Sequence, residues 1–234
     1  MLFGRSFTGQ ADGALSVSPD PRPDNAPMII RGVLFDLLMG VMNSLEAWKA
    51  AAGDPELGLR WRDAVTARMV AARAYAPYEE LVADAAAEIG LSQSAPAELF
   101  NRWSEMKPWP DAAALSRLSV PYGFVTNTST ALAQIAADRS RLQPRFTMSA
   151  EEAGWFKPNA AIYEAACRRL GPDPAHTMFV AGSPYDAAGA RGARLAAWLV
   201  LRRPDHRPPE PGIPAAASLE DIVAAIAGDG SAPK

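Results

Sequence analysis

The stretch MIIRGVLF, residues 28–35, is short, apolar and rich in β-branched residues, and Asp36 follows it directly. Pro27 comes immediately before it. An apolar run bounded in this way predicts a buried strand. We therefore expect the carboxylate of Asp36 to lie at the carboxyl end of that strand.

Similar apolar runs recur along the chain and alternate with helical patterns. The further predicted strands are 120–126, 145–148, 177–181 and 196–201, and the predicted helices between and after them are 130–138, 159–170, 185–194 and 219–227. Strands that alternate with helices are typical of a parallel sheet with helices on both faces. The sequence thus predicts an α/β fold with a Rossmann-like, doubly wound parallel sheet.

Residues 46–106 interrupt this alternation, because they contain helical patterns and no strand-like run. The predicted helices here are 45–52, 57–74, 77–89 and 95–106. Such a block is too long for a simple crossover, so we expect an inserted all-helical cap over the carboxyl ends of the strands, where open α/β sheets bind ligands. The predicted domains are a flexible N-terminal extension (1–27), a core (28–45 and 107–228) and the cap (46–106).

Composition excludes several classes of protein. The chain has 234 residues, and 49% of them are hydrophobic, which is enough apolar material for a core. Its net charge of −3 argues against a nucleic-acid partner. No apolar stretch approaches the roughly 18 residues of a membrane span, so we expect a cytoplasmic protein without a membrane partner. One cysteine and two histidines exclude a disulfide framework and a multi-cysteine zinc site.

Polar side chains follow the predicted strands at the edge where ligands would bind. Asp36 follows the first strand, Thr126 and Asn127 end the second, Lys157 precedes a helix, and Asp186 opens another. Each has an ordinary explanation: the carboxylates and hydroxyl can cap helices or complement a helix dipole, and the lysine can be solvated. Because all of them converge on one edge of the sheet, we favour a catalytic site there.

These motifs together resemble those of the haloacid dehalogenase superfamily. The matching stretches are VLFD, which ends at Asp36, FVTN with Thr126, FKPNAAIY with Lys157, and FVAGSPYD, which ends at Asp186. The resemblance extends over roughly residues 29–202 and places one type of family cap where the helical block lies. It implies that Asp36 is the nucleophile.

Two positions depart from the phosphatases of that superfamily. Those enzymes carry a second carboxylate two residues after the nucleophile and hold Mg²⁺ with acids of the last motif, but Leu38 and Ser183 stand at these places. Because Mg²⁺ requires several oxygen ligands, we expect no metal ion and no cofactor. The remaining chemistry is displacement at carbon, in which a carboxylate forms an ester that water then hydrolyses.

Within the superfamily, the chain resembles the L-2-haloacid dehalogenases and L-azetidine-2-carboxylate hydrolase. The resemblance implies that Asp186 orients Lys157 and the hydrolytic water. It also implies that Arg62, in the pair Trp61-Arg62, receives the leaving group.

The same resemblance implies the remaining substrate contacts. Thr126 and Asn127 would hold the substrate carboxylate, and Tyr163, which has the spacing Lys-Pro-x-x-x-x-Tyr, would line the site. Leu38 and Ser183 complete the predicted substrate-binding set. Four tryptophans fit either a pocket or ordinary core packing, namely Trp48, Trp61, Trp103 and Trp155.

The expected function is therefore metal-independent hydrolysis at C2 of a small 2-substituted carboxylate. Met39-Gly40 replaces the Gly-Thr of the dehalogenases, and the last motif resembles the azetidine-carboxylate branch, so the leaving group is either a halide or a ring nitrogen. A phosphatase and a non-catalytic member of the superfamily are the alternatives. An apolar face of the cap could support a homodimer.

Overall fold

The computed structural model describes residues 29–228, which form a parallel sheet flanked by helices. In this part of the chain the sheet has six strands in the order β3-β2-β1-β4-β5-β6, all parallel to their neighbours. The strands are β1 (Gly32–Asp36), β2 (Tyr122–Thr126), β3 (Thr147–Ser149), β4 (Thr177–Ala181), β5 (Ala196–Val200) and β6 (Ala215–Ala216). The predicted α/β class with a doubly wound sheet is confirmed, whereas the predicted extension 1–27 lies outside the described residues.

Helices fill the connections between the strands. They are α1 (Leu45–Ala52), α2 (Pro55–Ala71), α3 (Tyr78–Glu88), α4 (Ala95–Asn101), α5 (Thr130–Ser140), α6 (Ala150–Ala153), α7 (Ala160–Leu170), α8 (Pro184–Gly192) and α9 (Leu219–Gly228). Short 3₁₀ segments cover Arg102–Glu105, Pro110–Arg117 and Pro174–His176, and a single π-helical turn covers Leu37–Val41.

Most predicted elements match the structure, but α6 and the segment Pro110–Arg117 were not predicted, and three further differences follow. The first strand begins at Gly32, and the predicted start at residue 28 lies outside the described residues; just before the strand, the Arg31 N–H donates to the His176 carbonyl at 2.8 Å. The predicted helix 95–106 tightens into a 3₁₀ turn after Asn101. Strand β6 was not predicted, because two alanines at the end of a proline-rich stretch carry no strand pattern.

The strand order reverses beside β1, which pairs with β2 on one side and with β4 on the other. Connections that leave neighbouring strands in opposite directions open a crevice at their carboxyl ends. Asp36 is the last residue of β1, and Ser183 and Asp186 follow β4 at the same edge. The sheet topology therefore brings separate parts of the sequence to one crevice.

The helices α1 to α4 lie between β1 and β2, where the helical insertion was predicted, and their buried residues form one hydrophobic cluster with those of the sheet. Trp48 and Trp61 pack edge to face at 4.9 Å, and the Trp61 indole donates to the Val82 carbonyl at 2.9 Å. Trp103, which follows α4, donates to the Leu132 carbonyl of α5 at 2.9 Å. This last bond joins the end of the cap to the helices that flank the sheet.

A close approach of two backbones fixes the floor of the crevice. A Cβ on Gly182 would lie 2.4 Å from the Gly40 nitrogen and 2.5 Å from the Met39 carbonyl carbon. Only glycine permits this contact between the loop after β4 and the turn after β1.

None of the described helices is long and apolar enough to cross a membrane.

Gly58 sets the spacing of α1 and α2, and its replacement tests the packing of the cap. A Cβ there would lie 2.6 Å from Lys49 Cα and 2.7 Å from the Trp48 carbonyl oxygen, which are backbone atoms that cannot move alone. We expect Gly58→Ala to lower the free energy of unfolding in urea by about 1–3 kcal/mol, the usual cost of overpacking. Gly192→Ala in α8 is the matched control, because its Cβ meets nothing within 4 Å. An equal response of the two variants would contradict this packing.

Candidate active site

A buried lysine lies between two carboxylates at the crevice. Lys157 Nζ donates to Asp36 Oδ1 at 2.8 Å, to Asp186 Oδ2 at 2.6 Å and to the Val125 carbonyl at 3.3 Å. The Phe179 ring lies on another side of the ammonium, with its centroid 5.3 Å away. Lys157 is 1% exposed, so the solvated alternative considered for it is wrong. All three ammonium N–H groups have acceptors, which is the condition for holding a charge away from water.

The two carboxylates are not used as helix caps. Asp36 is the residue before the π-helical turn, but its side chain accepts no hydrogen bond from that turn. Asp186 lies in the first turn of α8 and is completely buried, with its oxygens bound to side chains. The capping and dipole explanations therefore do not account for how these side chains are placed.

The side chain of Asn127 holds the backbone of Lys157. Its Oδ1 accepts from the Lys157 N–H at 2.7 Å, and its Nδ2 donates to the Lys157 carbonyl at 2.9 Å. The Lys157–Pro158 peptide bond is cis. The two hydrogen bonds from the Asn127 side chain fix the position of the Lys157 backbone. One Nδ2 N–H of Asn127 is left for another acceptor.

Tyr163 supports the second carboxylate from behind. Its hydroxyl donates to Asp186 Oδ1, while Lys157 occupies the other oxygen. Tyr163 is fully buried and packs against Phe179 at a centroid distance of 5.0 Å. Both oxygens of Asp186 are therefore engaged within the protein.

Burial and charge act in opposite directions on this group of residues. Burial alone lowers the pKa of Lys157, but the negative charges of Asp186 and Asp36 outweigh it and hold that pKa above its usual value. Burial raises the pKa of the Asp186 carboxyl to about 6, because lost hydration outweighs the attraction of Lys157. Lys157 thus stays protonated at neutral pH, and Asp186 is the member of the pair that titrates first.

A cavity of about 420 Å³, its opening to solvent included, lies above these groups. The lining residues are Asp36, Leu38, Met39, Ser44, Trp48, Arg62, Val65, Thr66, Met69, Tyr78, Thr126, Asn127, Lys157 and Tyr185. Among residues 29–228, nothing donates a hydrogen bond to Asp36 Oδ2, so this oxygen is available to a ligand.

The cap supplies the opposite wall of the cavity. Arg62, Val65 and Met69 line it from α2, and their spacing of three and four residues places them on one helix face. Arg62 is 9% exposed and donates through Nη2 to Ser183 Oγ at 3.3 Å and through Nη1 to Asp63 at 3.2 Å. A buried cation from the inserted helices and the Asp36 carboxylate therefore line the same cavity.

The structure brings all nine predicted site residues together, but not all of them line the cavity. Those on its wall are Asp36, Leu38, Arg62, Thr126, Asn127 and Lys157. Tyr163 and Ser183, predicted as substrate contacts, lie behind the wall, where they bind Asp186 and Arg62. Asn127 is on the wall, but its side-chain oxygen and one of its N–H groups are already hydrogen-bonded to the Lys157 backbone. The contact of Tyr163 with substrate stays a prediction, and the contact that the structure shows is with Asp186.

Sequence reasoning missed several lining residues. Tyr185 and Met39 adjoin residues that were recognised, so their positions in the motifs were an available signal. Thr66 lies four residues after Arg62 and could have been found from helical periodicity. Tyr78 carries no such signal, because only the packing of α3 against α2 brings it to the cavity.

Comparison with known proteins identifies what the chain is similar to. Residues 30–194 match the model of a family described as haloacid dehalogenase-like hydrolase. (S)-2-haloacid dehalogenase 2 of a Pseudomonas strain is 27% identical over 209 residues, which cover 76% of this chain and 90% of that protein. (S)-2-haloacid dehalogenase 4A of Burkholderia cepacia is 30% identical over 98 residues, and that alignment spans only 39% of this chain and 42% of the relative.

Solved structures share the fold at low sequence identity. An L-2-haloacid dehalogenase of Xanthobacter autotrophicus with chloropropionic acid covalently bound superposes with a TM-score of 0.72 at 19% identity. The superposition covers 85% of this chain and 99% of that one. The similarity includes the sheet and the helical insertion, since almost the whole of the other chain is matched.

Removal of the Tyr163 hydroxyl tests the electrostatics of Asp186. We expect Tyr163→Phe to lower the free energy of unfolding at pH 8 by about 1.5–3 kcal/mol, the usual worth of a hydrogen bond to a charged group. The loss should be smaller at pH 5, because the pKa of Asp186 is about 6 and its carboxyl is then mostly protonated. Urea titrations at both pH values measure the difference. Tyr122→Phe, whose hydroxyl accepts only from the Gln143 N–H, should show no such pH dependence, and a pH-independent loss in Tyr163→Phe would contradict the assignment.

Proposed function

Because the chain belongs to the haloacid dehalogenase-like hydrolases, we propose that it hydrolyses small 2-substituted carboxylates at C2 through an aspartyl ester on Asp36. The observation that carries this proposal is the position of Asp36 between a buried lysine and a cavity whose opposite wall holds Arg62. The names of the Pseudomonas and Burkholderia relatives support 2-haloacids as the substrate class. The identity of the leaving group, a halide or a ring nitrogen, is part of the same proposal.

Asp36 is suited to act as the nucleophile. One oxygen is fixed by the Lys157 ammonium at 2.8 Å, and Oδ2 has no donor within the described chain. In the first step, Oδ2 attacks C2, the bond from C2 to the leaving group breaks, and the leaving group takes the electron pair. The carbon is inverted, and Asp36 becomes a neutral ester.

Lys157 is suited to assist the second step. Water adds to the carboxyl carbon of the ester, and the ammonium next to Asp36 Oδ1 stabilises the negative charge that develops on the oxygen. The bond between the Asp36 carboxyl carbon and Oδ2 then breaks, and Oδ2 leaves as the hydroxyl of the 2-hydroxy acid. One proton of the water ends on that hydroxyl, the other is released to solvent, and Asp36 carries one oxygen from water. Asp186 and Tyr163 act as positioning residues, because they hold Lys157 without touching the cavity.

Thr126 and Asn127 are suited to bind the substrate carboxylate. The Thr126 hydroxyl is buried on the cavity wall and has no partner among the described residues. Asn127 retains one N–H. On the opposite wall, the Arg62 guanidinium favours an anionic leaving group, so we propose a halide ahead of a ring nitrogen.

The donor set does not fit metal-dependent phosphoryl transfer. The position two residues after Asp36 is Leu38, whose side chain offers no oxygen, and both oxygens of Asp186 are bound to Lys157 and Tyr163. Within residues 29–228 there is no cluster of three or more histidine, cysteine or acidic side chains arranged to hold an ion. A hard dication requires several oxygens, and Asp36 alone supplies too few.

Isotope labelling tests the nucleophile. In a single turnover in ¹⁸O-water with enzyme in excess, we expect one ¹⁸O in the peptide that contains Asp36, because water enters at the ester carboxyl carbon. Mass spectrometry of the digested protein measures it. Asp36→Asn should lose at least about 10³-fold in activity, whereas Asp84→Asn, an exposed position on α3, should keep it. Turnover with the label only in the product would overturn the ester mechanism.

A substrate panel tests the reaction class. We expect release of chloride from L-2-chloropropionate with formation of D-lactate, and no loss of rate when EDTA is added, because no step needs a metal ion. L-azetidine-2-carboxylate and p-nitrophenyl phosphate are the comparison substrates. Faster ring opening of the first would replace halide by nitrogen as the leaving group. Chelator-sensitive hydrolysis of the second would favour a phosphatase, and turnover of no compound would favour a non-catalytic protein.

A further inference from the structure

The phenol hydroxyls of two tyrosines at the cavity have no role in the proposed reaction. Tyr78, at the start of α3, and Tyr185, in the first turn of α8, both line the cavity. Within the described chain, no group donates to or accepts from either phenol hydroxyl. Tyr78 is only 2% exposed, so its hydroxyl has little access to bulk water. Neither hydroxyl is among the fully enclosed polar atoms of the described residues, so both can be reached from the cavity and can donate to a ligand there.

The two phenols belong to one group with Arg62. Arg62 and Tyr185 both act electrostatically on Tyr78, and Arg62 and Asp36 both act on Tyr185. Burial raises the pKa of both phenols above the usual value, so each keeps its proton at neutral pH and can donate it in a hydrogen bond. Two of the Arg62 N–H groups are used by Ser183 and Asp63, and the others have no partner among the described residues.

The direction of attack decides which part of a substrate meets this group. Asp36 attacks from the carboxyl edge of the sheet, and displacement at carbon requires the leaving group to depart on the side opposite the nucleophile. Arg62 and Tyr78 come from the inserted helices α2 and α3, and the bond from Arg62 Nη2 to Ser183 at 3.3 Å brings the guanidinium to the start of α8, where Tyr185 lies. The substrate carboxylate already has Thr126 and Asn127 on the core side, so the cap donors are left for the leaving group.

We propose that Tyr78 and Tyr185 donate hydrogen bonds to the departing leaving group beside Arg62, and that they adapt the site to leaving groups that are strong hydrogen-bond acceptors, fluoride above all. This inference rests on the proposed hydrolysis at C2. As Asp36 Oδ2 bonds to C2, the C–F bond breaks, and fluoride leaves with the electron pair. The phenols keep their protons, and the later attack of water is unchanged.

The choice of halide follows from the chemistry of the donors. A small, hard anion such as fluoride gains much more from O–H and N–H donors than bromide, which is large and polarisable. Breaking a C–F bond also needs more stabilisation of the departing charge, because fluoride is the poorest leaving group of the series. Loss of a phenol donor should therefore slow the fluoro substrate more than the bromo substrate, although both have the same carbon skeleton.

The experiment compares L-2-fluoropropionate with L-2-bromopropionate in the wild-type chain, Tyr78→Phe and Tyr185→Phe. Single-turnover rates of ester formation are measured, with release of each halide as a second readout. We expect wild-type cleavage of both substrates and, in each variant, a loss on the fluoro substrate that exceeds the loss on the bromo substrate by about tenfold or more. Tyr122→Phe is the matched control, because its hydroxyl accepts from Gln143 outside the cavity, and it should leave the ratio of the two rates unchanged.

The possible results separate this inference from the function on which it rests. Cleavage of both substrates with the ratio unmoved in the two variants would overturn the role of the phenols and leave the hydrolase intact. Bromide release without any fluoride release from the wild-type chain would also overturn it. Turnover of neither substrate would overturn the proposed function, and this inference with it.

Discussion

The ammonium of Lys157 is a charge held almost entirely away from water, and the rest of the site is arranged around it. Such a charge is tolerated only when charged and polar partners replace its hydration. Asp36, Asp186 and the Val125 carbonyl supply these acceptors, and they come from β1, α8 and β2. The interaction therefore stabilises the site only when the strand order is correct, which couples the fold directly to the chemistry.

The turn after Asp36 is also fixed by hydrogen bonds from other parts of the chain. Arg202, after β5, donates two hydrogen bonds to the Gly40 carbonyl at 2.7 and 3.2 Å and forms a bidentate pair with Asp111. Trp109 donates to the Met39 carbonyl at 2.9 Å, and the Arg202 guanidinium lies 4.9 Å from its ring centre. The carbonyls of the second half of this turn, Met39 to Val41, thus accept from Trp109 and Arg202 in distant segments, which fixes the turn after Asp36 although no hydroxyl follows it at position 40.

Site residues that directly follow a strand could be predicted from the sequence. Site residues whose position depends on packing between separate elements could not. The sheet, Asp36, Lys157 and Asp186 could be predicted, because apolar runs and the residues that end them are local signals. The place of Tyr163 behind Asp186 could not, since the spacing fits a contact with ligand equally well. Tyr78 could not be predicted at all, because it reaches the cavity only through the packing of the cap. The predicted domain boundaries and the homodimer stay predictions.

The balance of charge across the cavity accounts for the use of a lysine at the floor. Before the reaction, Asp36 carries a negative charge beside Lys157, and after it the ester is neutral while the leaving group carries that charge beside Arg62. The total charge in the cavity is unchanged, and one unit of negative charge has moved from the core wall to the cap wall. A dication at the floor would hold the charge on Asp36 more strongly than a lysine and would oppose this transfer. Single positive charges on Lys157 and Arg62, with the neutral phenols of Tyr78 and Tyr185 added to the group around Arg62, favour displacement at carbon.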